Sequence, residues 1–428
     1  MPNRNIAPPI KDAVEFNLHL KPFEHFVLQN GVEVYAVDAG AEEVVQIDFV
    51  LDAGTVYEEK NLLAATTNFL LKNGTSTQTA FEINSFFEYY GAYLNRSCYT
   101  ETASVSLHCL SKHYSLLLPN VVKLLQDAQF PEEELSIHKQ NSRQRLTVNL
   151  KKADFVANRL IDAYMFGESH PYGRYTTFEA IDDISRDDLK AFYDQYYRKG
   201  RLRIFIAGRL PKDFLSHLEM HFGSLSYHSA PERLNLPDMA ASVEPGVLQR
   251  VELGTGGVQG SIRLARHFPS KKHPDYLQVQ VLNALLGGFF GSRLMENIRE
   301  DKGYTYGIHS YLQSYRDQSV WTISTEAGKD VCNATLAEVW KEMEILRTEL
   351  VDEEELLLVK NYIIGTVVGD LDGPFHILGR WKNMLLSDLG MDYFDRSIQA
   401  IKDVDAPALQ QLAQRYLKPE DFYQLVVV

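Results

Sequence analysis

Cysteine is scarce in this sequence: its 428 residues include three, Cys98, Cys109 and Cys332. They show neither C-x-x-C spacing nor an even count, which excludes a zinc ribbon and a disulfide framework and favours a reducing compartment. Long apolar runs are missing as well, none approaching the roughly 18 residues of a membrane span. The first twenty residues carry Arg4, Lys11, Asp12 and Glu15 where a secretory signal needs a continuous apolar stretch, so a cytoplasmic protein is expected. Positive charge is in deficit, with 43 Lys and Arg against 57 Asp and Glu and a net charge of -14. That balance argues against nucleic acid as a partner and leaves basic peptides as ligands for an acidic concave face.

What is present is an ordinary globular composition, 45% hydrophobic and 23% charged, in a chain long enough for roughly two to four domains. Residues 26–28 and 32–37 read as two strands around Asn30-Gly31, a pair suited to a type I′ hairpin turn. A third strand is expected over residues 44–51 and a helical pattern over 61–71. Thr79 and Glu82 have the spacing of a capping box. It opens a helix in which Ile83, Phe86, Phe87 and Tyr90 share one face and Gly91 supplies the exit. A strand-rich stretch follows around 102–110. Strands and helices interleave without strict βαβ alternation, which predicts an α+β fold.

The chain also repeats itself. Ala180-Ile181-Asp182-Asp183-Ile184 returns as Ala400-Ile401-Lys402-Asp403-Val404, about 220 residues later. Downstream, Ser185 and Asp405 are both plausible N-caps, Leu189 and Leu409 start similar amphipathic helices, and Tyr196 matches Tyr416. The acidic helix start Glu132-Glu133-Glu134-Leu135 likewise returns as Glu353-Glu354-Glu355-Leu356 at nearly the same offset. Two homologous domains are therefore expected, 1–228 and 248–428, joined by a proline-containing linker over 229–247. Each would be a mainly antiparallel sheet with helices packed on one face.

Two features carry the resemblance to a known family. Residues 287–294 read Gly-Gly-Phe-Phe-Gly-Ser-Arg-Leu, followed by Arg299 and by Gly303-Tyr304-Thr305-Tyr306, and the whole repeated chain resembles the pitrilysin/insulinase metallopeptidases. The resemblance implies two domains facing each other as a clamshell, with an inverted zinc motif, H-x-x-E-H, on a helix of the first. Two histidines at i and i+4 share a helix face and can hold one zinc, and the glutamate can take a proton from metal-bound water.

In this chain the corresponding positions are Ala65, Asn68 and Phe69. Neither Ala65 nor Phe69 offers a lone pair to a metal, and the Asn68 amide is no base near neutral pH. The family's third ligand, a glutamate, has no counterpart in 141–153, which contains no acid and four bases, Arg143, Arg145, Lys151 and Lys152. No metal is therefore expected in this chain. His217 and His221 also stand at i and i+4, but Glu219 lies about 200° from the first histidine around a helix, so this segment reads as an amphipathic surface helix. His108 and His113 lack a third ligand nearby and read as structural.

The resemblance also implies that the second domain supplies an arginine and a tyrosine that hold peptide, and the matching residues are Arg299 and Tyr306. A guanidinium gives charge-assisted hydrogen bonds to carbonyl oxygens, and a phenol can donate to a developing oxyanion. The competing reading pairs Arg299 with Glu296 or Glu300 and leaves Tyr306 as a strand aromatic; Tyr304 is the other candidate for the tyrosine role. The strand-like stretch 93–106 occupies the region where active relatives offer a sheet edge to an extended peptide.

These features imply the non-catalytic subunit of a two-component zinc peptidase, a heterodimer in which zinc and the H-x-x-E-H helix belong to a homologous partner and Arg299 and Tyr306 bind peptide substrates. The alternatives are a structural or assembly core subunit and a homodimer that sequesters peptides.

Overall fold

A computed structural model of the chain describes residues 11–228, 236–254 and 256–428; residues 229–235 of the expected linker lie outside the described residues. The chain forms two compact units. Of the described residues, one comprises those of 11–20, 264–372 and 384–422, and the other those of 21–228, 236–254, 256–263, 373–383 and 423–428.

The larger unit is built on a six-stranded sheet. Its strands are β1 (Glu24–Val27), β2 (Glu33–Asp38), β3 (Val44–Leu51), β4 (Tyr93–Cys98), β5 (Ala103–Leu110) and β6 (Leu202–Gly208). They lie in the order β1-β2-β6-β3-β5-β4. Every pairing is antiparallel except β2 with β6. Those two strands are far apart in sequence, and the chain between them is long enough for the crossover that parallel neighbours need. β6 is buried along its whole length, as its apolar run Ile204-Phe205-Ile206-Ala207 requires at a central position. In β5, Ala103, Val105, Leu107 and Cys109 enter the core while Ser104, Ser106 and His108 take the other face, the period of two that a strand imposes.

Three of this unit's helices frame the candidate site: α1 (Leu63–Leu70), α2 (Ala80–Tyr89) and, after an intervening α3 (Tyr114–Gln126), α4 (Glu132–Asn149). The capping box forms as expected: the Thr79 hydroxyl accepts from the Glu82 N–H, and the Glu82 carboxylate accepts from the Thr79 N–H at 2.8 Å. Gly91 leaves the helix with φ +60°. The same unit holds α5 (Ala153–Phe166) and β7 (Leu248–Val251), which pairs in parallel with β11 (Tyr423–Val427).

The hairpin at Asn30-Gly31 forms, but the turn differs from the type I′ expectation. Gly31 has φ +86°, whereas Asn30 is not among the residues with positive φ. The Gly31 N–H donates to the Leu28 oxygen at 2.8 Å and the Leu28 N–H to the Val32 oxygen at 2.9 Å. This is the three-residue loop of a type I turn with a glycine bulge. Its cause is distant: the Asn30 amide donates to the Phe222 and Leu225 carbonyls at 2.8 and 2.9 Å, which fixes its backbone.

In the smaller unit, β8 (Gln259–Pro269) from Leu264 onward, β10 (Gln318–Gly328) and β9 (Thr305–Ser314) are neighbours in that order, with β9 and β10 antiparallel. The helix Glu353–Asp370 begins on the repeated acidic segment and has 18 residues, the same length as α4, which begins on the other copy. Both benefit from carboxylates at the positive end of the helix dipole. Ser185 and Asp405 are the N-caps of their helices, as expected. The α+β architecture, two mainly antiparallel sheets with helices, is the one expected. No helix among the described residues is long and apolar enough to cross a membrane.

Candidate functional site

α1 carries Ala65, Asn68 and Phe69, the positions where the resemblance expects the zinc motif, and the structure gives each a non-metal role. Its start is unusual, with Leu62 in the left-handed region at φ +72° and no capping side chain of its own. The buried carboxylate of Glu58 takes that place, accepting from the N–H groups of Leu62 at 3.2 Å and Ala64 at 2.9 Å. Burial outweighs these bonds and pushes the Glu58 carboxyl up to about 7.

Asn68 is buried, and its amide nitrogen donates to the Ser104 carbonyl at 3.3 Å and to the Tyr197 hydroxyl at 3.0 Å. It ties α1 to β5 and to the helical segment Tyr193–Arg198. Ala65 is half-buried and offers a methyl group. Phe69 is 45% exposed, and its ring lies 4.7 Å from that of His138 on α4.

Arg96, on β4, stands over the same ring at 5.0 Å and donates to the Phe69 carbonyl. Burial lowers the Arg96 guanidinium to about 10. Lys72, just past α1, is lowered by burial and then by the Arg96 charge, and His138 is lowered by burial and then by Arg145.

These residues do not fit zinc. Where the resemblance expects two histidines stand a methyl group and a phenyl ring, where it expects the base stands an amide that donates, and a fixed guanidinium covers the phenyl. Among the described residues no group of three or more His, Cys, Asp or Glu could hold a metal ion. His217 bonds to Asp213 on its own helix, Phe214–Phe222 and its cap, at 3.1 Å. His108 sits near Asp48, Lys382 and Phe375.

In the smaller unit the chain brings Arg299 and Tyr306 together. Arg299 lies on the π-helical segment Met295–Asp301, Gly303 makes the exit turn with φ +64°, and Tyr306 stands on β9, one residue after its start at Thr305. A left-handed residue is what lets a strand leave a helix end this sharply, and glycine adopts it without steric cost.

The Arg299 guanidinium lies 4.4 Å from the centre of the Phe290 ring and 5.6 Å from that of Tyr306. It also bonds to Glu300 at 3.0 Å, the contact expected of the competing reading. Glu300 is an exposed neighbour, and an exposed pair of this kind holds an arginine weakly. Tyr306 is 90% exposed, so its hydroxyl faces solvent, whereas Tyr304 is half-buried and its N–H is fixed to the Ile298 carbonyl at 3.0 Å. The arrangement offers one cation and one phenol on an open surface, able to donate to carbonyl oxygens and unable by themselves to create a nucleophile.

Sequence reading missed Phe290, although it stands in the quoted string, because an aromatic beside two glycines signals nothing until the arginine is placed. It missed Arg96 and Glu58 because their partners come from other elements. Of the segment 93–106, β4 is the last strand of the six, whereas residues 103–106 belong to β5, which lies between β3 and β4.

Comparison with known proteins adds the context. Residues 183–363 match the family described as peptidase M16 inactive domain. The chain is 24% identical over 404 residues to a Bacillus subtilis (strain 168) protein named uncharacterized zinc protease YmxG, covering 93% of this chain and 96% of that one. A solved peptidase M16 inactive domain from Pseudomonas fluorescens superposes with a TM-score of 0.84 at 21% identity, over 95% of this chain and 98% of that one. A protease from Helicobacter pylori superposes with a TM-score of 0.85 at 18% identity, over 96% and 100%. The pitrilysin-like resemblance is borne out: residues 183–363 match the peptidase M16 inactive domain.

Proposed function

We propose that this chain is the non-catalytic subunit of a two-component zinc peptidase, binding peptide through Arg299 and Tyr306 for a homologous partner that carries the H-x-x-E-H helix and the zinc. The observation that carries the reading is a contrast. At Ala65, Asn68 and Phe69 the family's chemistry is replaced by packing and hydrogen bonding, while Arg299 and Tyr306 are held 5.6 Å apart with the phenol open to solvent.

In the complex the partner's metal supplies the activated water. Arg299 donates to backbone carbonyls of an extended peptide, and the Tyr306 hydroxyl donates to the oxygen that gains negative charge as the scissile carbonyl is attacked. Phe290 restricts the guanidinium to the face it shares with Tyr306. The reading places the heterodimer in the cytoplasm, which the scarcity of cysteine supports.

The test begins with native purification of the tagged chain from its own source and identification of the co-purifying H-x-x-E-H protein. Arg299→Ala and Tyr306→Phe are then assayed in the assembled pair. Each lowers peptide hydrolysis by about tenfold or more without dissociating the subunits. Unchanged turnover in both variants overturns the assigned roles, and absence of a peptidase partner overturns the reading itself.

A further inference from the structure

Two cations near the expected zinc-motif positions form no ion pair among the described residues. Arg96 makes one hydrogen bond, to the Phe69 carbonyl, and stacks on the Phe69 ring. Lys72 makes no hydrogen bond or ion pair among the described residues, and Glu88, the acid whose charge reaches it, forms no ion pair with it. Both side chains are half-buried.

Three other arginines of this acidic chain meet an acid: buried Arg203 meets Asp52 at 2.6 Å, and half-buried Arg293 and Arg266 meet Glu355 at 2.8 Å and Asp421 at 3.0 Å. Two mutually repelling, partly desolvated cations without an ion-paired acid are costly unless an anion completes them.

Their place in the fold identifies the anion. Arg96 stands on β4, whose outer edge has no neighbouring strand among the described residues, and an extended peptide can add to such an edge through its backbone. Stacking on Phe69 restrains the guanidinium, and a planar guanidinium matches a carboxylate through two parallel hydrogen bonds, which a point charge does not.

We infer that Arg96 and Lys72, with Phe69 as the platform, form a carboxylate-binding site beside the β4 edge, which holds either the C-terminal carboxylate of a peptide or an acidic side chain near its end. The inference rests on the reading that the chain handles peptides. It makes the preference at this edge acidic, although the chain as a whole is negative.

The test uses three fluorescent peptides of one neutral sequence: the free acid, the C-terminal amide, and the amide with Asp as its last residue. Anisotropy titrations with the full chain at fixed low salt read their affinities. The free acid binds about tenfold more tightly than the neutral amide, and this gap closes in Arg96→Gln and in Lys72→Gln. Arg96→Lys keeps the charge, loses the planar fork and recovers part of the gap. An aspartyl amide equal to the free acid assigns the site to side-chain carboxylates as well, and a weaker one assigns it to the chain terminus.

Lys72→Gln breaks no hydrogen bond, so it carries the test should Arg96→Gln fail to fold. Equal affinity for the free acid and the neutral amide overturns the carboxylate site and leaves the peptide-handling role standing. Binding of none of the three overturns both.

Discussion

The side-chain amide of Asn68 donates to the hydroxyl of Tyr197 at 3.0 Å, inside the core and at the position where the resemblance expects a general base. Tyr197 is fully buried, and burial holds its phenol well above the usual range, so the pair is neutral and structural. Asn68→Ala also abandons the Ser104 carbonyl, and it should cost about 1–3 kcal/mol in urea denaturation. Tyr197→Phe should cost less, since Asn68 keeps one acceptor. A double-mutant cycle returning no coupling would show that the pair does not hold α1 in place.

The zinc motif should not be recoverable by restoring its letters. Ala65→His, Asn68→Glu and Phe69→His together rebuild the spacing, but Arg96 stands beside the second histidine position and Lys72 adds its charge. Two cations at this range oppose a divalent ion, and the third ligand is still missing from α4. The triple variant should therefore purify without stoichiometric zinc by elemental analysis. Adding Arg96→Ala and a glutamate on α4 should raise the zinc content. Full occupancy in the triple variant would show that Arg96 is no obstacle.

Which parts of this architecture the sequence discloses follows from the range of the forces involved. The Thr79–Glu82 capping box and the strand Val44–Leu51 are legible because their determinants lie within a few residues. The Asn30-Gly31 turn is legible as a hairpin but not in type, because contacts to Phe222 and Leu225 decide the Asn30 backbone. The start of α1 is opaque: Leu62 is a poor cap, and only the fold brings Glu58 into reach. Arg299 and Tyr306 are legible through their motif, whereas the Phe290 contact depends on how the glycine-rich string folds back.

Arg299 and Phe290 make a separable prediction about positioning. The 4.4 Å contact restrains a side chain whose acid partner, Glu300, is exposed, so Phe290→Ala should free the guanidinium without removing its charge. In the proposed two-component peptidase the variant should lower kcat/KM about threefold to tenfold, less than Arg299→Ala. Arg299→Lys should not rescue activity, since an ammonium lacks both the stacking face and the fork. A fully active lysine variant would reduce the role of Arg299 to net charge.

Stability should peak in mildly acidic solution. Burial raises the carboxyls of Glu58 and Asp162 to about 7, so the folded state holds protons that the unfolded state releases above about pH 4 to 4.5. Stability therefore falls as pH rises through that window to about 7. Asp188 works in the opposite sense: its bonds to Lys60 and Ser185 lower it to about 2, and its contribution is lost as pH falls from about 4 toward 2. Asp162→Asn should flatten the upper limb, match the parent near pH 4 and exceed it above pH 7. Melting temperatures that keep the parental slope in this variant would place the proton uptake elsewhere.

The segment 373–383 belongs to the larger unit. Lys382 pairs with Asp48, a fully buried carboxylate on β3 that also accepts from Gln46 at 3.0 Å. The neighbouring Trp381 donates to the Lys21 carbonyl at 2.7 Å and packs edge-on against Phe23. Lys382→Ala removes the cation and strands the buried charge, which should cost about 3–5 kcal/mol. A joint Asp48→Leu and Lys382→Met replacement removes both charges together and should recover most of that loss, because neither partner is then left uncompensated. Thermal unfolding of the two variants decides the matter. If the double variant is as unstable as Lys382→Ala, the segment is held by the hydrogen-bond geometry around Asp48 and not by charge compensation.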